Sequence, residues 1–349
     1  MRSLFSVNAQ NLAAVGAVAS ATALFNGYCC AQTIVAADYA TNAAYAAGWS
    51  AGQNGGYGFT AWNFDGTSGG APIEQGMTFD HSSPSDALGT AWTLFNPPGP
   101  SPNPGYGWLS EAGRGFAALQ PYQTLEVVID NPTNVFYGNG YTIEIDSGTD
   151  NNYSGSTTVQ QIAAYTYAFD YFNGTNYALY TGWLVGDSNG NTRTGVDVTN
   201  TALAGVKMDF IILPGGNYQF TLTPLNNPAS AYTQVGSLKN SSEPTDWMDF
   251  SFYNNPTTNS NAADEFYISS MTVANPTLNI QLVGTNAVLT WLNVSGYLSN
   301  DNLQLESSAN LGPGAVWKAV TNSPVVVNGQ NVVTNPVAGV QQFYQLYYP

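Results

Sequence analysis

Cysteine, histidine and positive charge are all scarce in this chain. Its 349 residues hold two Cys, one His and six Lys or Arg against 22 Asp or Glu, a formal charge of -16. A single His excludes a His-rich metal centre. Six scattered bases cannot neutralise a run of phosphates, which excludes nucleic acid and anionic lipid as partners. A neutral partner, such as a polysaccharide or a cell-surface glycan, fits this balance. Charged residues make up only 8% of the chain, while aromatics reach 13%, with 36 Gly and 19 Pro. That composition is too apolar for disorder and too poor in helix-forming charged residues for a helical protein, so it predicts an all-β chain full of turns. Long apolar runs are missing as well. The one candidate, residues 12–25, is short for a bilayer span; with Arg2 before it and small residues after it, it reads as a secretory signal peptide cleaved near Ala31. Residues 1–31 then leave with Cys29 and Cys30, and the exported chain has no membrane span and no disulfide. It must be held together by burial alone.

The most distinctive stretch is residues 45–64, YAAGWSAGQNGGYGFTAWNF, which is rich in Gly and aromatics and carries no charge. Gly tolerates positive φ and Trp and Tyr favour strands, so the stretch predicts an aromatic hairpin with its turn at Gly55-Gly56. Period-two patterns follow. TLEVVID sets Leu125, Val127 and Ile129 inward against Glu126, Val128 and Asp130 outward. YTIEID sets Tyr141, Ile143 and Ile145 inward, with Glu144 and Asp146 outward. VKMDFI and YQFTLT read as a hairpin about Pro214-Gly215-Gly216, and MDFSFY and EFYISSMTV complete a first domain over residues 36–274. A Pro at residue 276 interrupts the pattern. It resumes in LNIQL, VLTWL, LQLES, VVVNGQNVV and QFYQLYY, a second, smaller sandwich over residues 277–349.

Taken together, GGYGFTAWNF, GRGFAALQPYQTLEVVIDNP, YTIEID, NYALYTG, VKMDFIILPGGNYQFTLTPL and ADEFYISSMTV resemble a group of secreted bacterial β-sandwich proteins that look like concanavalin-A-like jelly rolls, mostly of unassigned function. The tail, with LTW, LQLESSANL, VWKAV and QFYQL, looks like a C-terminal module common on secreted bacterial proteins, appended rather than catalytic. That family form commonly ends in an FYRL-like strand; here Gln345 stands in place of the Arg. The fold these resemblances imply is a jelly-roll β-sandwich followed by a small fibronectin-III-like β-sandwich.

Candidate chemistry is sparse. Glu144-Ile145-Asp146 is similar to the start of the EIDxE pattern of family-16 β-glucanases, whose strand carboxylates face the sugar cleft, but Gly148 stands where the second Glu is needed and Asp150 falls in a loop. The residue reading makes Glu144 and Asp146 ordinary outward carboxylates and assigns no catalytic residue; a polysaccharide hydrolase or lyase using the two is the alternative, and a structural envelope or matrix role a third. His81, in DHSSPSD, reads as a solvated loop residue. Asp38 before the first strand and Asp264-Glu265 before the last would converge as oxygen ligands for a structural calcium if those strands are neighbours, and SNGN and DSGTDNN echo calcium loops without their spacing. No other cofactor is implied. Trp49, Trp62 and Phe64 are expected in the core. Tyr57, Tyr106 and Trp108 lie in Gly- and Pro-rich tracts and are the candidate ligand-binding rings, because exposed rings stack on the apolar face of a pyranose. The expected function is glycan or cell-surface binding by a secreted, non-catalytic protein.

Overall fold

The computed structural model describes residues 2–8, 28–30, 34–68, 71–72, 89–96, 108–130, 140–148, 159–167, 169–172, 177–180, 182–197, 205–254, 264–293, 303–327, 330–337 and 341–347. The chain is all-β, and the 3-10 turns Ala43–Tyr45 and Pro228–Ser230 are the helical elements among the described residues. It divides into two compact units: Val35–Val273, and Met1–Ile34 together with Ala274–Pro349.

Two antiparallel sheets build the Val35–Val273 unit. One has eight strands in the order Gly190–Asp197, Gly182–Asp187, Val159–Tyr167, Gly140–Ser147, Trp247–Asn254, Trp108–Gly115, Asn63–Ser68 and Ala71–Pro72. The other has seven: Tyr232–Ser237, Asn217–Pro224, Val206–Leu213, Thr124–Asp130, Asp264–Ala274 and Ile34–Tyr39 in order, with Trp92–Asn96 also paired to Asp264–Ala274. The first and last strands of the unit are therefore neighbours, as a jelly roll requires. Ile143 and Ile145 of one sheet face Leu125, Val127, Met208, Phe210 and Phe220 of the other. The expected hairpin holds, with Met208 opposite Leu222 and Phe210 opposite Phe220. Met248, Phe250 and Phe252 are fully buried in the shared core. Because alternate residues supply one face of each strand, the period-two pattern alone assembles this sandwich.

Two details depart from the pattern. Asp130, expected outward, is 1% exposed, and Asp146 is 2% exposed. In each case an adjacent residue on the opposite face, Ile129 or Ile145, is buried too. Both strands are thus covered on both sides at their ends, and burial there no longer reports which face looks inward.

Residues 45–64 do not form the expected hairpin. Tyr45 ends a 3-10 turn, the first long strand after it starts at Asn63, and between them lie only the isolated bridges Ala37–Tyr57 and Phe59–Phe116. A side chain at Gly56 would strike the carbonyl oxygen of Ala37 at 2.0 Å, and one at Gly58 would meet that of Val35 at 2.6 Å. These glycines let the loop lie flush on the Ile34–Tyr39 strand, while its ends meet without forming strands, Gly52 N–H donating to Trp62 O at 2.8 Å and Trp62 N–H to Gln53 O at 2.9 Å. Trp49, Trp62 and Phe64 do join the core: Trp49 stacks edge-on against Trp62 at 4.9 Å and Phe64 at 4.6 Å, and Trp62 against Trp92 at 5.1 Å.

The second unit has a sheet of order Arg2–Asn8, Gln341–Tyr347, Gln304–Ser308 and Lys318–Ala319, and another of order Tyr28–Cys30, Asn279–Val283, Asn286–Leu292, Gln330–Pro336 and Val325–Val327. Ile280, Leu289, Trp291 and Val333 from one sheet and Leu305, Tyr344 and Leu346 from the other share one core. Gln345 is fully buried and donates to Glu306 at 2.7 Å. Two short segments of the expected leader are end strands here, Arg2–Asn8 on Gln341–Tyr347 and Tyr28–Cys30 on Asn279–Val283.

Candidate functional site

Tyr57 is the sequence-selected ring whose side chain the structure describes, and it is 56% exposed. What holds it is a buried network beneath the loop. Arg114, in the Trp108–Gly115 strand, and Asp38, in the Ile34–Tyr39 strand, form an ion pair at 2.6 Å with both side chains fully buried. The guanidinium also donates to Thr60 O at 2.5 and 3.0 Å and to Asn54 Oδ1 at 2.8 Å. It stacks 4.6 Å from the Trp62 ring and 4.9 Å from Phe59. Tyr45 donates its hydroxyl to Asp38 at 2.5 Å and accepts the amide of Gly55 at 2.7 Å, while Asn42 donates to Gly55 O. Asn54 donates to Phe59 O at 2.8 Å. Both ends of the loop are thus pinned by donors from within, and Tyr57 is presented on rigid backbone. Burial, then the bond to Asp38, raises the Tyr45 phenol above its ordinary value.

Asp38 is therefore committed to Arg114 and Tyr45. Asp264 and Glu265 start the last strand of the unit, opposite Asn96 and Phe95. SNGN is a hairpin turn between Asp187 and Gly190; Asp187 accepts the Asn189 amide and the Tyr218 hydroxyl, each at 2.7 Å. Among the described residues, no group of three or more His, Cys, Asp or Glu is placed to hold a metal ion.

The outer face of the eight-stranded sheet is the second feature. Cross-strand register sets Glu144 opposite Asp249 and Asp249 opposite Gly113; one step along, Thr142, Ser251, Glu111 and Asp65 stand in a row. Sequence reasoning missed Asp249 and Glu111, because Asp249 reaches Glu144 only through pairing with a strand about a hundred residues on, and Glu111 sits on the strand beyond that one. Asp146 lies opposite Trp247, whose indole donates to Asp249 at 2.8 Å. A side chain at Gly113 would meet Asp249 Oδ1 at 1.8 Å, so the carboxylate leans directly over this glycine. Glu144 is half-buried, and Asp146, Glu111 and Asp249 are buried rather than solvated outward carboxylates. Like charges directly opposite one another oppose pairing, and such clusters concentrate at working sites. Gly148, at the place of the missing acid/base Glu, has φ +98, a conformation that strains any side chain.

The remaining sequence candidates are less informative. Trp108 is the first residue of a strand, paired with Ser68 and Asn254, rather than part of a Pro-rich loop. Tyr106, His81 and Asp150 lie outside the described residues.

No family model and no curated protein matches the chain. Among solved structures it is similar to a legume lectin-like domain from Entamoeba histolytica, at 10% identity over 61% of this chain and 89% of that one, with a TM-score of 0.36. It is similar to LamAcat from Zobellia galactanivorans, at 11% identity over 70% and 98%, with a TM-score of 0.31. Lectin II from Ulex europaeus aligns at 10% identity over 65% and 97%, with a TM-score of 0.30.

Two consequences of these buried polar contacts are measurable. Arg114→Met strands the buried Asp38 carboxylate and should lower unfolding free energy by about 3–5 kcal/mol; a loss under about 1 kcal/mol in urea titration would show that the pair is dispensable. The second concerns alkaline pH. Tyr45 and Tyr218 have phenols raised from an ordinary 10.0, in each case by burial first and then by the bond to a carboxylate. A raised phenol keeps its proton in the folded state after the unfolded chain has lost it, so the stability it confers is complete below about pH 10 and declines above it. Unfolding free energy measured between pH 9 and 11 should fall, and Tyr218→Phe should make the fall shallower; an unchanged slope would contradict the assignment.

Proposed function

We propose that the chain is an exported, non-catalytic protein that binds polysaccharide or a cell-surface glycan through exposed aromatic rings, with Tyr57 leading and Tyr106 and Trp108 as further candidates. The observation that carries this reading is the 56% exposed Tyr57 ring on a loop clamped from beneath by a fully buried ion pair. An exposed ring on mobile backbone would lose its stacking gain to ordering entropy, whereas a rigid one keeps it. The formal charge of -16 favours an uncharged ligand. A single tyrosine stacked on a sugar contributes on the order of 1–2 kcal/mol, so Tyr57→Ala should weaken binding on a glycan array by about 5- to 30-fold. Its melting temperature should stay unchanged, since the ring buries little. A wild-type protein blank across the array would favour the structural envelope or matrix role instead.

One observation favours hydrolysis as a second reading: Asp249 stands beside Glu144 on the adjacent strand, close to the buried Asp146. Two carboxylates on neighbouring strands could share acid and nucleophile roles on a sugar. Release of reducing sugar from a polysaccharide panel, abolished by Glu144→Gln, would replace the binding reading with this one.

Export with cleavage near Ala31, and a division into residues 36–274 and 277–349, are part of the proposal. Removal of the leader would vacate the two sheet edges that Arg2–Asn8 and Tyr28–Cys30 cover. The intact mass of the protein recovered from the medium should correspond to a chain starting near residue 32; a product that still contains Cys29 and Cys30 would refute cleavage there.

A further inference from the structure

Tyr57 does not stand alone. In the Ile34–Tyr39 strand, Ala36 and Asp38 are buried at 3% and 0%, while Val35 and Tyr39 are 36% and 44% exposed. Val35, Ala37 and Tyr39 thus occupy the outer face of the strand that ends the seven-stranded sheet. Ala37 and Tyr57 exchange two backbone hydrogen bonds of 3.0 Å each. They are directly opposite, and directly opposite residues project on the same face. Tyr57 therefore rises beside Ala37 on the face that carries Tyr39, and Tyr39 is its diagonal neighbour, about 7–8 Å away. Ala37, small and 4% exposed, forms the floor between them. We infer that Tyr39 and Tyr57 form a two-ring platform for a neutral polysaccharide; this rests on the glycan-binding reading above and names the second ring and the ligand class.

The ligand class follows from charge. Residues 40–64 hold no charged side chain, and the nearest acid in the strand, Asp38, is turned inward on Arg114. Uronate or sulfated sugars would find no cation on this loop and would approach a chain of formal charge -16. A neutral sugar meets two apolar ring faces whose hydroxyls supply hydrogen-bonding edges. Two rings side by side along an edge strand suit an extended chain that spans successive sugar units rather than a single terminal sugar in a pocket.

The test is affinity electrophoresis in gels cast with mixed-linkage β-glucan, glucomannan or xylan, with polygalacturonate as the anionic control. The wild-type chain should be retarded by at least one neutral polysaccharide and not by polygalacturonate. Tyr39→Ala and Tyr57→Ala should each weaken retardation at least fivefold at unchanged melting temperature, and Tyr39→Phe should largely retain it. Absence of retardation in any neutral gel would sink the platform and the glycan reading together. Retardation lost in Tyr57→Ala but kept in Tyr39→Ala would overturn the platform and leave glycan binding standing. Retardation by polygalacturonate alone would overturn the ligand class. A wild-type dimer in light scattering that Tyr39→Ala converts to monomer, with retardation intact, would reassign this face to self-association.

Discussion

The buried pair of Arg114 and Asp38 ties one sheet to the other. Arg114 belongs to the eight-stranded sheet, and Asp38 to the terminal strand of the seven-stranded sheet. The loop between them repeats the link in backbone: Tyr57 bridges to Ala37 on one side, and Phe59 bridges to Phe116 on the other. An open sheet edge invites pairing with a foreign strand. Here the edge is closed by a charged pair that must be met in full, because either partner alone would be a desolvated charge. That all-or-none requirement gives the loop a single position, and with it the position of Tyr57.

Glycine and aromatic rings divide the work around this link. The guanidinium lies between Phe59 and Trp62, and Trp62 continues into a cluster with Trp49, Trp92 and Phe250. Bulky rings supply the burial that a chain without disulfides in this unit depends on. Gly56 and Gly113 supply the opposite: places where a neighbour comes so near that a methyl group would overlap it. The Gly-aromatic composition is thus one design, in which large rings fill the interior and missing side chains let backbone and carboxylates approach.

Much of the sandwich was legible in the sequence because a strand's period is local. Leu125, Val127 and Ile129, or Met248, Phe250 and Phe252, announce their face within one heptapeptide. Residues 45–64 misled for an equally physical reason: β-propensity marks Trp49, Trp62 and Phe64 as fit for a buried surface, which they are, but a loop can deliver rings to a core as well as a strand can. Arg114 was invisible because its partner lies 76 residues away, and no local pattern reports a contact of that separation. The only available hint was compositional, one Arg in the uncharged tract GRGFAALQ of a chain with six bases. Asp249 and Glu111 were hidden in the same way, as outward residues whose convergence is created by strand order. Tyr39 reads in sequence as the polar end of a strand; only the bridge at Ala37 shows that it shares a face with Tyr57.

The two candidate sites occupy different faces, and this separates the functions they could serve. Glu144 and Asp249, with Glu111 in the adjoining row, lie on the outer side of the eight-stranded sheet, whereas Tyr39 and Tyr57 stand on the outer side of the seven-stranded sheet at its terminal strand. Two sheets packed face to face put the core, about 10 Å thick, between those surfaces. A short saccharide bound on the rings cannot reach the carboxylates through it. Whatever the rings bind and whatever the carboxylates do are therefore set apart by the thickness of the core. A chain with both would act on polymer long enough to wrap the edge that Arg114 closes, and a chain with only the first would hold polymer without cutting it.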